Sequence, residues 1–210
     1  MKNILDKPVR TEIRIVAGTL RGRKVVTVVH PGMRPTPQMV REALFSILGN
    51  AVPGRPFYDV FAGTGIVGLE AVSRGAKEAR LIESDAKSCV AIGKYARDWD
   101  VADRVQVLRS DVYRWAELWM PPKEPITVFL SPPFPDLSED RIAEFLKLTN
   151  VIWAKLSPDS VLALQLEDGF PLDSLPELTT WDVRKYGRNL LAFRVVELPT
   201  TESTASQSSP

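Results

Sequence analysis

Short β-rich runs alternate with segments in which apolar residues recur at helical spacing along most of the chain. This alternation begins near residue 57 and predicts a parallel sheet with helices on both faces, because a strand that is apolar on both sides needs a covering layer on each. The predicted strands are Phe57–Phe61, Ala79–Glu83, Arg104–Leu108, Ile126–Leu130 and Ser160–Leu166.

The segments around these strands predict five helices from their apolar spacing. Thr36 is the predicted N-cap of the first helix, with Pro37 at its first position, since a hydroxyl and a fixed φ favour a helix start. The predicted helices are Gln38–Leu48, Ile66–Ser73, Lys87–Asp98, a tryptophan-rich segment with Trp115 and Trp119, and Ser138–Lys155.

A hairpin is predicted at each end of this α/β core. Near the N-terminus, Glu12–Ala17 and Lys24–Val29 are β-rich and are joined by a glycine-containing basic turn. Near the C-terminus, Thr180–Tyr186 and Leu190–Val196 are predicted to add an antiparallel edge to the sheet. We therefore divide the chain into an N-terminal hairpin extension (1–35), a main domain (36–198) and a disordered Ser/Thr-rich tail (199–210).

Composition narrows the kinds of protein and of site that the chain can form. With 210 residues, 44% hydrophobic and 25% charged, it matches an ordinary soluble globule and contains no apolar run long enough for a membrane helix. Its one cysteine, Cys89, excludes an internal disulfide and a multi-cysteine zinc site, and its one histidine, His30, argues against a histidine-based triad or a histidine-rich metal site. We expect a cytoplasmic monomer without a bound metal, in which Cys89 is a buried structural thiol.

Charge is distributed unevenly along the chain. The first 41 residues contain nine Lys or Arg against only Asp6 and Glu12, although the net charge of the whole chain is +1. A basic segment on a mildly acidic body indicates a polyanionic partner bound at one end. The alternative is a solvated charged face.

A glycine turn follows the first predicted strand. Gly63, Gly65 and Gly68 match the dinucleotide pattern G-x-G-x-x-G, in which glycine supplies a positive φ and a close approach for a ligand. The same spacing also occurs at ordinary glycine turns of α/β proteins. The neighbouring residues therefore decide which ligand the turn holds.

Two acidic residues follow the next two predicted strands. Glu83 ends the second strand, where a carboxylate can accept hydrogen bonds from both ribose hydroxyls of an adenosine. This geometry fits NAD and S-adenosylmethionine equally. Asp111 follows the third strand, where it can accept a hydrogen bond from an adenine amino group or cap the following helix.

The sequence Ser131-Pro132-Pro133-Phe134 follows the fourth strand, and its two prolines cannot continue a central strand. The Ser131 hydroxyl and the Pro132 carbonyl can accept the two N–H bonds of an exocyclic amine and turn its lone pair toward a methyl group. Phe134 offers a ring on which a nucleobase can stack. This arrangement indicates methylation of a base amine, and the alternative is a Pro-Pro loop beside a core phenylalanine.

The chain resembles the RsmD-like bacterial 16S rRNA (guanine-N2)-methyltransferases over residues 12–197. The resemblance rests on these segments in order: Arg14-Ile15-Val16-Ala17-Gly18, Arg21-Gly22-Arg23, Arg34-Pro35-Thr36, Val40-Arg41-Glu42-x-Leu44-Phe45, Asp59-x-Phe61-Ala62-Gly63-Thr64-Gly65 and Leu81-Ile82-Glu83. It implies a Rossmann-like class I methyltransferase fold, S-adenosyl-L-methionine as cofactor, and an N-terminal hairpin that grips ribosomal RNA in the small subunit. This chain has Ser131 where the family usually has aspartate or asparagine, and Gln38 where an acid is common.

The motifs and the resemblance together give a predicted site. Residues expected to bind the substrate amine are Ser131, Pro132 and Phe134. Residues expected to bind the cofactor are Thr36, Asp59, Phe61, Gly63, Gly65, Glu83 and Asp111. Residues expected to contact RNA phosphates are Arg14, Arg21, Arg23, Lys24 and Arg34.

Two other functions are compatible with parts of this pattern. The protein can be an inactive methyltransferase relative that only binds RNA, because serine cannot offset positive charge as aspartate does. The glycine pattern alone also fits a nicotinamide-dependent oxidoreductase. The Ser-Pro-Pro-Phe segment and the basic hairpin argue against the oxidoreductase.

Overall fold

We describe residues 9–29 and 35–198 of a computed structural model. Within these ranges a seven-stranded sheet has the order β5-β4-β3-β6-β7-β9-β8. Strands β3 to β7 are parallel, and β9 pairs antiparallel with both β7 and β8. These strands are β3 (Pro56–Val60), β4 (Glu78–Glu83), β5 (Val105–Arg109), β6 (Thr127–Leu130), β7 (Val161–Glu167), β8 (Asp182–Tyr186) and β9 (Asn189–Val195).

Helices cover both faces of this sheet, as the apolar pattern predicted. Along β3, the buried Phe57 belongs to one core cluster, whereas Tyr58 and Val60 belong to the other. The first three helices contribute to the cluster with Phe57, and the last two contribute to the second cluster. The helices are α1 (Gln38–Leu48), α2 (Ile66–Ser73), α3 (Ala86–Asp98), α4 (Val112–Leu118) and α5 (Ile142–Trp153), with 3₁₀ turns at Gly49–Ala51, Phe134–Leu137, Leu172–Ser174 and Leu178–Thr180.

The N-terminal hairpin consists of β1 (Val9–Arg14) and β2 (Lys24–Val29), which pair antiparallel. Its first strand ends three residues earlier than predicted, because the chain after Ile15 turns onto the end of α2. There Ser73 accepts hydrogen bonds from Thr19 N (2.8 Å) and Leu20 N (2.9 Å). Ile15, Leu20 and Val25 are buried in the same core cluster as α1 and α2. The hairpin is therefore packed into the core of the main domain.

Three local predictions are wrong, each for a physical reason. Pro37, not Thr36, occupies the N-cap position of α1, because the Thr36 hydroxyl donates instead to Gln165 Oε1 at 2.8 Å. Helix α5 begins at Ile142 rather than Ser138, because the 3₁₀ turn Phe134–Leu137 is followed by a further turn over residues 138–141 before the helix starts. Cys89 is only partly buried, and its Sγ lies 3.5 Å from the carbonyl oxygen of Glu83.

Several predictions fall outside the described residues, namely those for His30, for Arg34 and for the tail at 199–210. None of the helices in the described ranges has both the length and the apolar character needed to cross a membrane. The same residues form no group of three or more His, Cys, Asp or Glu that could hold a metal ion.

Candidate active site

A cavity of about 580 Å³ opens at the carboxyl ends of β3, β4, β6 and β7. Strands β3 and β6 are neighbours, and the chain leaves them toward opposite edges of the sheet. This is the topological switch point at which open α/β sheets bind ligands. The cavity brings together most residues that the sequence assigned to cofactor and substrate: Thr36, Asp59, Phe61, Gly63, Glu83, Ser131, Pro132 and Phe134.

The glycine turn forms one wall of this cavity, and its glycines have different roles. Gly63 has φ +53°, and a Cβ there would meet no atom closer than 3.9 Å, so its missing side chain leaves space for a ligand. A Cβ on Gly65 or Gly68 would instead lie 2.7 Å from Ile92 or Leu81. Those two glycines allow α2 to pack closely on α3 and β4. Gly65, which was predicted to bind the cofactor, does not line the cavity.

Phe61 starts this turn in an unusual backbone conformation. Its φ of +67° is left-handed, which is strained for an aromatic residue. Its ring and that of Tyr113 pack edge to face, with centroids 6.0 Å apart. The strained residue redirects the chain from β3 into the turn and places an aromatic ring in the cavity wall.

Asp59 lies beneath the turn and is 1% exposed. Its Oδ2 accepts a hydrogen bond from Gly68 N at 2.8 Å, which ties the start of α2 to β3. Burial raises the pKa of Asp59 to about 7; the Gly68 hydrogen bond opposes this rise and the charge of Glu83 adds to it. A cation bound in the cavity would favour the ionised carboxylate.

Glu83 stands at the end of β4, directly beside the glycine turn. Its Oε2 accepts a hydrogen bond from Gly63 N at 2.7 Å, and its Oε1 accepts one from Asp85 N at 2.8 Å. Oε1 also accepts a longer hydrogen bond from the Ser84 hydroxyl at 3.4 Å, so the spare lone pair is on Oε2, and a ligand donor at Oε1 would replace Ser84. The carboxylate is thus held rigidly at the cavity edge, where it can accept hydrogen bonds from a diol.

Asp111 takes the structural role that the sequence left open. It is the N-cap of α4, and its Oδ1 accepts from Arg114 N at 2.9 Å. The next residue, Val112, lines the cavity, whereas Asp111 does not.

The Ser-Pro-Pro-Phe segment leaves β6 and forms the opposite wall. Pro132 is buried, and Pro133 leads into the 3₁₀ turn that carries the half-buried Phe134. Asp136 in that turn accepts from the Tyr113 hydroxyl at 2.7 Å and pairs with Arg141 at 2.8 Å. Burial and the hydrogen bond to Asp136 raise the pKa of Tyr113. These contacts fix the turn, and with it the position of Phe134.

Gln165, which was not among the predicted site residues, lines the cavity between Thr36 and Ser131. Its Oε1 accepts from Thr36 Oγ1 at 2.8 Å and from Ser131 Oγ at 3.2 Å, and its Nε2 donates to Asn189 Oδ1 at 3.0 Å. The available signal was a polar residue near the end of an otherwise apolar predicted strand. That signal does not identify the partners, which come from three distant parts of the chain.

The described basic residues that were predicted to contact RNA lie on the N-terminal hairpin. Arg14, Arg21, Arg23 and Lys24 are exposed, but Lys24 forms a 2.7 Å ion pair with Glu12, which lowers the pKa of Glu12. The hairpin turn that carries Arg21 packs on the end of α2 away from the cavity, roughly 12 Å along the helix at its usual rise.

Arg41, counted within the same basic segment, is 1% exposed and pairs with Glu70. It therefore cannot belong to a surface that binds a polyanion.

The family model described as conserved hypothetical protein 95 matches residues 13–195. The chain belongs to this family. It is 32% identical to ribosomal RNA small subunit methyltransferase D of Haemophilus influenzae over 176 residues, which cover 82% of this chain and 88% of that protein. It is 31% identical over 124 residues to the protein of the same name from Buchnera aphidicola, covering 59% of this chain and 64% of that protein. The predicted relationship to RsmD-like proteins is confirmed.

Solved structures agree on the fold. The yhhF protein of Escherichia coli, described as a candidate methyltransferase, is 29% identical with a TM-score of 0.70, covering 89% of this chain and 99% of its own. A Thermus thermophilus 16S rRNA N2 guanine methyltransferase (RsmC), solved with AdoMet and guanosine, has a TM-score of 0.67 at 23% identity, covering 90% of this chain and 51% of its own. The class I methyltransferase architecture is confirmed.

Proposed function

We propose that the protein transfers a methyl group from S-adenosyl-L-methionine to the exocyclic N2 of a guanine in small-subunit ribosomal RNA. The observation that carries this proposal is that the glycine turn with Glu83 and the Ser-Pro-Pro-Phe segment face each other across one cavity. One wall suits an adenosine cofactor and the other suits a planar amine, so the two reactants would meet between them.

The cofactor side of the cavity matches S-adenosylmethionine in shape and charge. Gly63 leaves room beside the turn, Glu83 offers acceptors to ribose hydroxyls, and Asp59 adds a second carboxyl group beneath them. Two acidic groups favour a cofactor that carries a positive sulfonium. Relatives named as rRNA methyltransferases and fold neighbours solved with AdoMet or S-adenosylhomocysteine support the same choice.

The substrate side suits the donor-rich edge of guanine. Ser131 and Pro132 offer oxygen acceptors for the amine, and Glu167 and Asp168 also line the cavity, with Asp168 Oδ2 already paired with Lys185 at 2.8 Å. Guanine presents two donors side by side, N1–H and the N2 amino group. In adenine, the ring nitrogen beside the amino group carries no hydrogen and is an acceptor. Acceptors along the wall therefore favour guanine N2 over adenine N6.

The bound cofactor supplies an electrophilic methyl group. The residues of the chain hold the amine in line with it, which converts a bimolecular displacement into a reaction within one bound pair. As the new N–C bond forms, the C–S bond breaks with its electron pair remaining on sulfur. The alkylated amine is strongly acidic, and its extra proton leaves to water. A base within folded RNA must first turn out of its stack to enter the cavity.

We assign RNA contact outside the cavity to Arg14, Arg21 and Arg23. Each has an exposed side chain without an ion pair among the described residues. Lys24 has a smaller role because Glu12 already pairs with it. Phosphates of a folded RNA extend far beyond one flipped base, so the turn at the far end of α2 can still reach them.

The decisive experiment supplies labelled S-adenosylmethionine with small ribosomal subunits that lack the modification, followed by digestion and nucleoside analysis. We expect label in N2-methylguanosine, and none with subunits that already carry the modification. Label in another nucleoside would refute the guanine N2 assignment. Cofactor binding without transfer to any RNA would instead support an RNA-binding relative without activity.

A separate thermal-unfolding measurement identifies the cofactor. S-adenosylhomocysteine at one hundred times its dissociation constant should stabilise the protein by about 2.7 kcal/mol, and NAD at the same concentration should have no effect. The reverse result would favour a nicotinamide enzyme.

A further inference from the structure

Ser131 is the residue at which this chain differs most from the expected amine-binding motif. An aspartate at this position would be an acceptor in any orientation. A serine hydroxyl carries one hydrogen and two lone pairs, so it can either donate or accept. If the hydrogen pointed into the cavity, it would bond to the lone pair of the amine, which is the pair that must attack the methyl group.

The Ser131 hydroxyl has an acceptor for that hydrogen within reach. Ser131 Oγ donates to Oε1 of Gln165 at 3.2 Å. With its hydrogen held there, the lone pairs of the hydroxyl remain available to an N–H donor in the cavity. The serine then acts as an acceptor, in the way that a carboxylate would.

Gln165 is itself held in place from two further directions. Thr36 Oγ1 donates to the same Oε1 at 2.8 Å, and Gln165 Nε2 donates to Asn189 Oδ1 at 3.0 Å. Thr36 lies before α1, and Asn189 lies at the start of β9, the strand that pairs with β7. The amide is therefore anchored at both its oxygen and its nitrogen, which fixes the acceptor that faces Ser131.

We infer that Gln165 is a positioning residue that takes the Ser131 hydrogen and so makes the serine an obligate acceptor for the substrate amine. This inference rests on the proposed function, because it concerns the same cavity and the same amine. It goes beyond that function by assigning a role to Gln165 and by explaining how serine replaces the usual acid. Gln165 acts through Ser131 and does not itself contact the reacting atoms.

The test is a double-mutant cycle of Ser131→Ala and Gln165→Met, measured as single-turnover methyl transfer to unmodified small subunits at saturating cofactor. Methionine has nearly the shape of glutamine without its acceptor. We expect Ser131→Ala to lower the rate about a hundredfold and Gln165→Met about tenfold, since an unfixed hydroxyl still accepts part of the time. The double variant should be no slower than Ser131→Ala alone. Independent losses that multiply to about a thousandfold would overturn the inference.

Gln165→Glu separates acceptance from mere packing. A carboxylate keeps an oxygen for the Ser131 hydrogen but loses the donor to Asn189, so its rate should stay within about threefold of the wild type. A loss as large as that of Gln165→Met would show that the amide acts through its N–H group and would refute our inference. Gln165→Leu repeats the first test if the methionine variant folds poorly.

Gln106→Leu is the matched control, because Gln106 is an exposed strand glutamine on β5 outside the cavity. It should leave the rate unchanged. Calorimetric affinity for S-adenosylhomocysteine should be the same in the wild type and in Gln165→Met, since the defect lies on the substrate side. If the wild type transfers no methyl group, the proposed function fails and the inference fails with it. If the wild type is active and the losses multiply, only the inference fails.

Discussion

Two polar networks lie on either side of the segment before α1, and they differ in what they leave open. In the first, Arg41 and Glu70 are 1% and 0% exposed. Arg41 donates to Glu70 Oε2 at 3.1 Å, to the Thr36 carbonyl at 2.6 Å and to the Arg14 carbonyl at 2.8 Å, while Glu70 Oε1 also pairs with Arg74 at 2.7 Å. The partners of Arg41 and Glu70 in this network are all groups of the protein itself.

The second network joins Thr36, Gln165, Ser131 and Asn189 at the cavity wall. With the Ser131 hydrogen donated to Gln165, we infer that the lone pairs of this hydroxyl stay available to a ligand in the cavity. The comparison shows how a polar network that stabilises the fold differs from a polar network that can bind a ligand. A network whose polar groups are paired within the protein stabilises the fold, whereas a network with a spare acceptor at a cavity can bind a ligand. Each prediction that follows alters one of these networks or a group beside them.

The largest expected effect is on stability, from Arg41→Met. Removing the guanidinium leaves the buried Glu70 with only Arg74 and leaves two carbonyl groups without their donor. We expect the free energy of unfolding to fall by about 3 kcal/mol, as is usual when one partner of a buried pair is removed. Urea unfolding measures this loss. The exposed Arg97→Met should change stability by less than about 0.5 kcal/mol, and equal effects in both variants would show that the buried network is not structural.

The next largest effect is on rate, from Ser131→Ala. Loss of a hydrogen bond used in the transition state typically lowers a rate about a hundredfold. Stability and cofactor affinity should change little, in contrast to Arg41→Met. Single-turnover kinetics with saturating cofactor provide the measurement, with Ser174→Ala as a half-buried serine control outside the cavity. Full activity in Ser131→Ala would remove the hydroxyl from the mechanism. Ser131→Asp should retain or raise the rate, since a carboxylate also offsets developing positive charge.

A smaller effect is expected on cofactor affinity, from Glu83→Ala. The carboxylate is held at the cavity edge by the N–H groups of Gly63 and Asp85, and Oε2 keeps a lone pair for a ribose hydroxyl. Its loss should weaken S-adenosylmethionine binding more than tenfold, about 1.4 kcal/mol. Calorimetry compares this variant with Glu78→Ala, which removes an acid at the other end of β4. Unchanged affinity in Glu83→Ala would exclude it from the cofactor site.

The fold was predictable because its signals are local. Alternating β-rich and helical segments specify a parallel sheet with two helical layers, and the acid at the end of β4 lies at the cavity for the same reason. The errors arose where a distant contact decides a local structure. Thr36 does not cap α1 because Gln165, on β7, accepts its hydrogen, and β1 ends early because the turn after Ile15 packs on Ser73.

The same limit explains what sequence reasoning missed in the site. Arg41 resembled its neighbours in a basic segment, and only folding brings it to Glu70. Gln165 gave a weak signal as a polar residue in a buried strand, but its meaning depends on Ser131 and Asn189. Patterns along the chain locate backbone features such as the glycine turn. They do not reveal side-chain networks whose members come from separate elements.

The smallest effect is expected at the hairpin surface, where charges lie outside both networks. Replacing Arg21 and Arg23 with alanine should reduce the slope of log affinity against log salt concentration by about 1.4–1.8, because each phosphate contact contributes about 0.7–0.9. Lys24→Ala should change the slope less, since Glu12 already pairs with Lys24 at 2.7 Å. Fluorescence titration of a small-subunit RNA fragment at several salt concentrations measures both. Cofactor affinity should not change, because this turn packs on the end of α2 opposite the cavity. An unaltered slope in the double arginine variant would mean that these charges are a solvated face, and that the RNA is held closer to the cavity mouth.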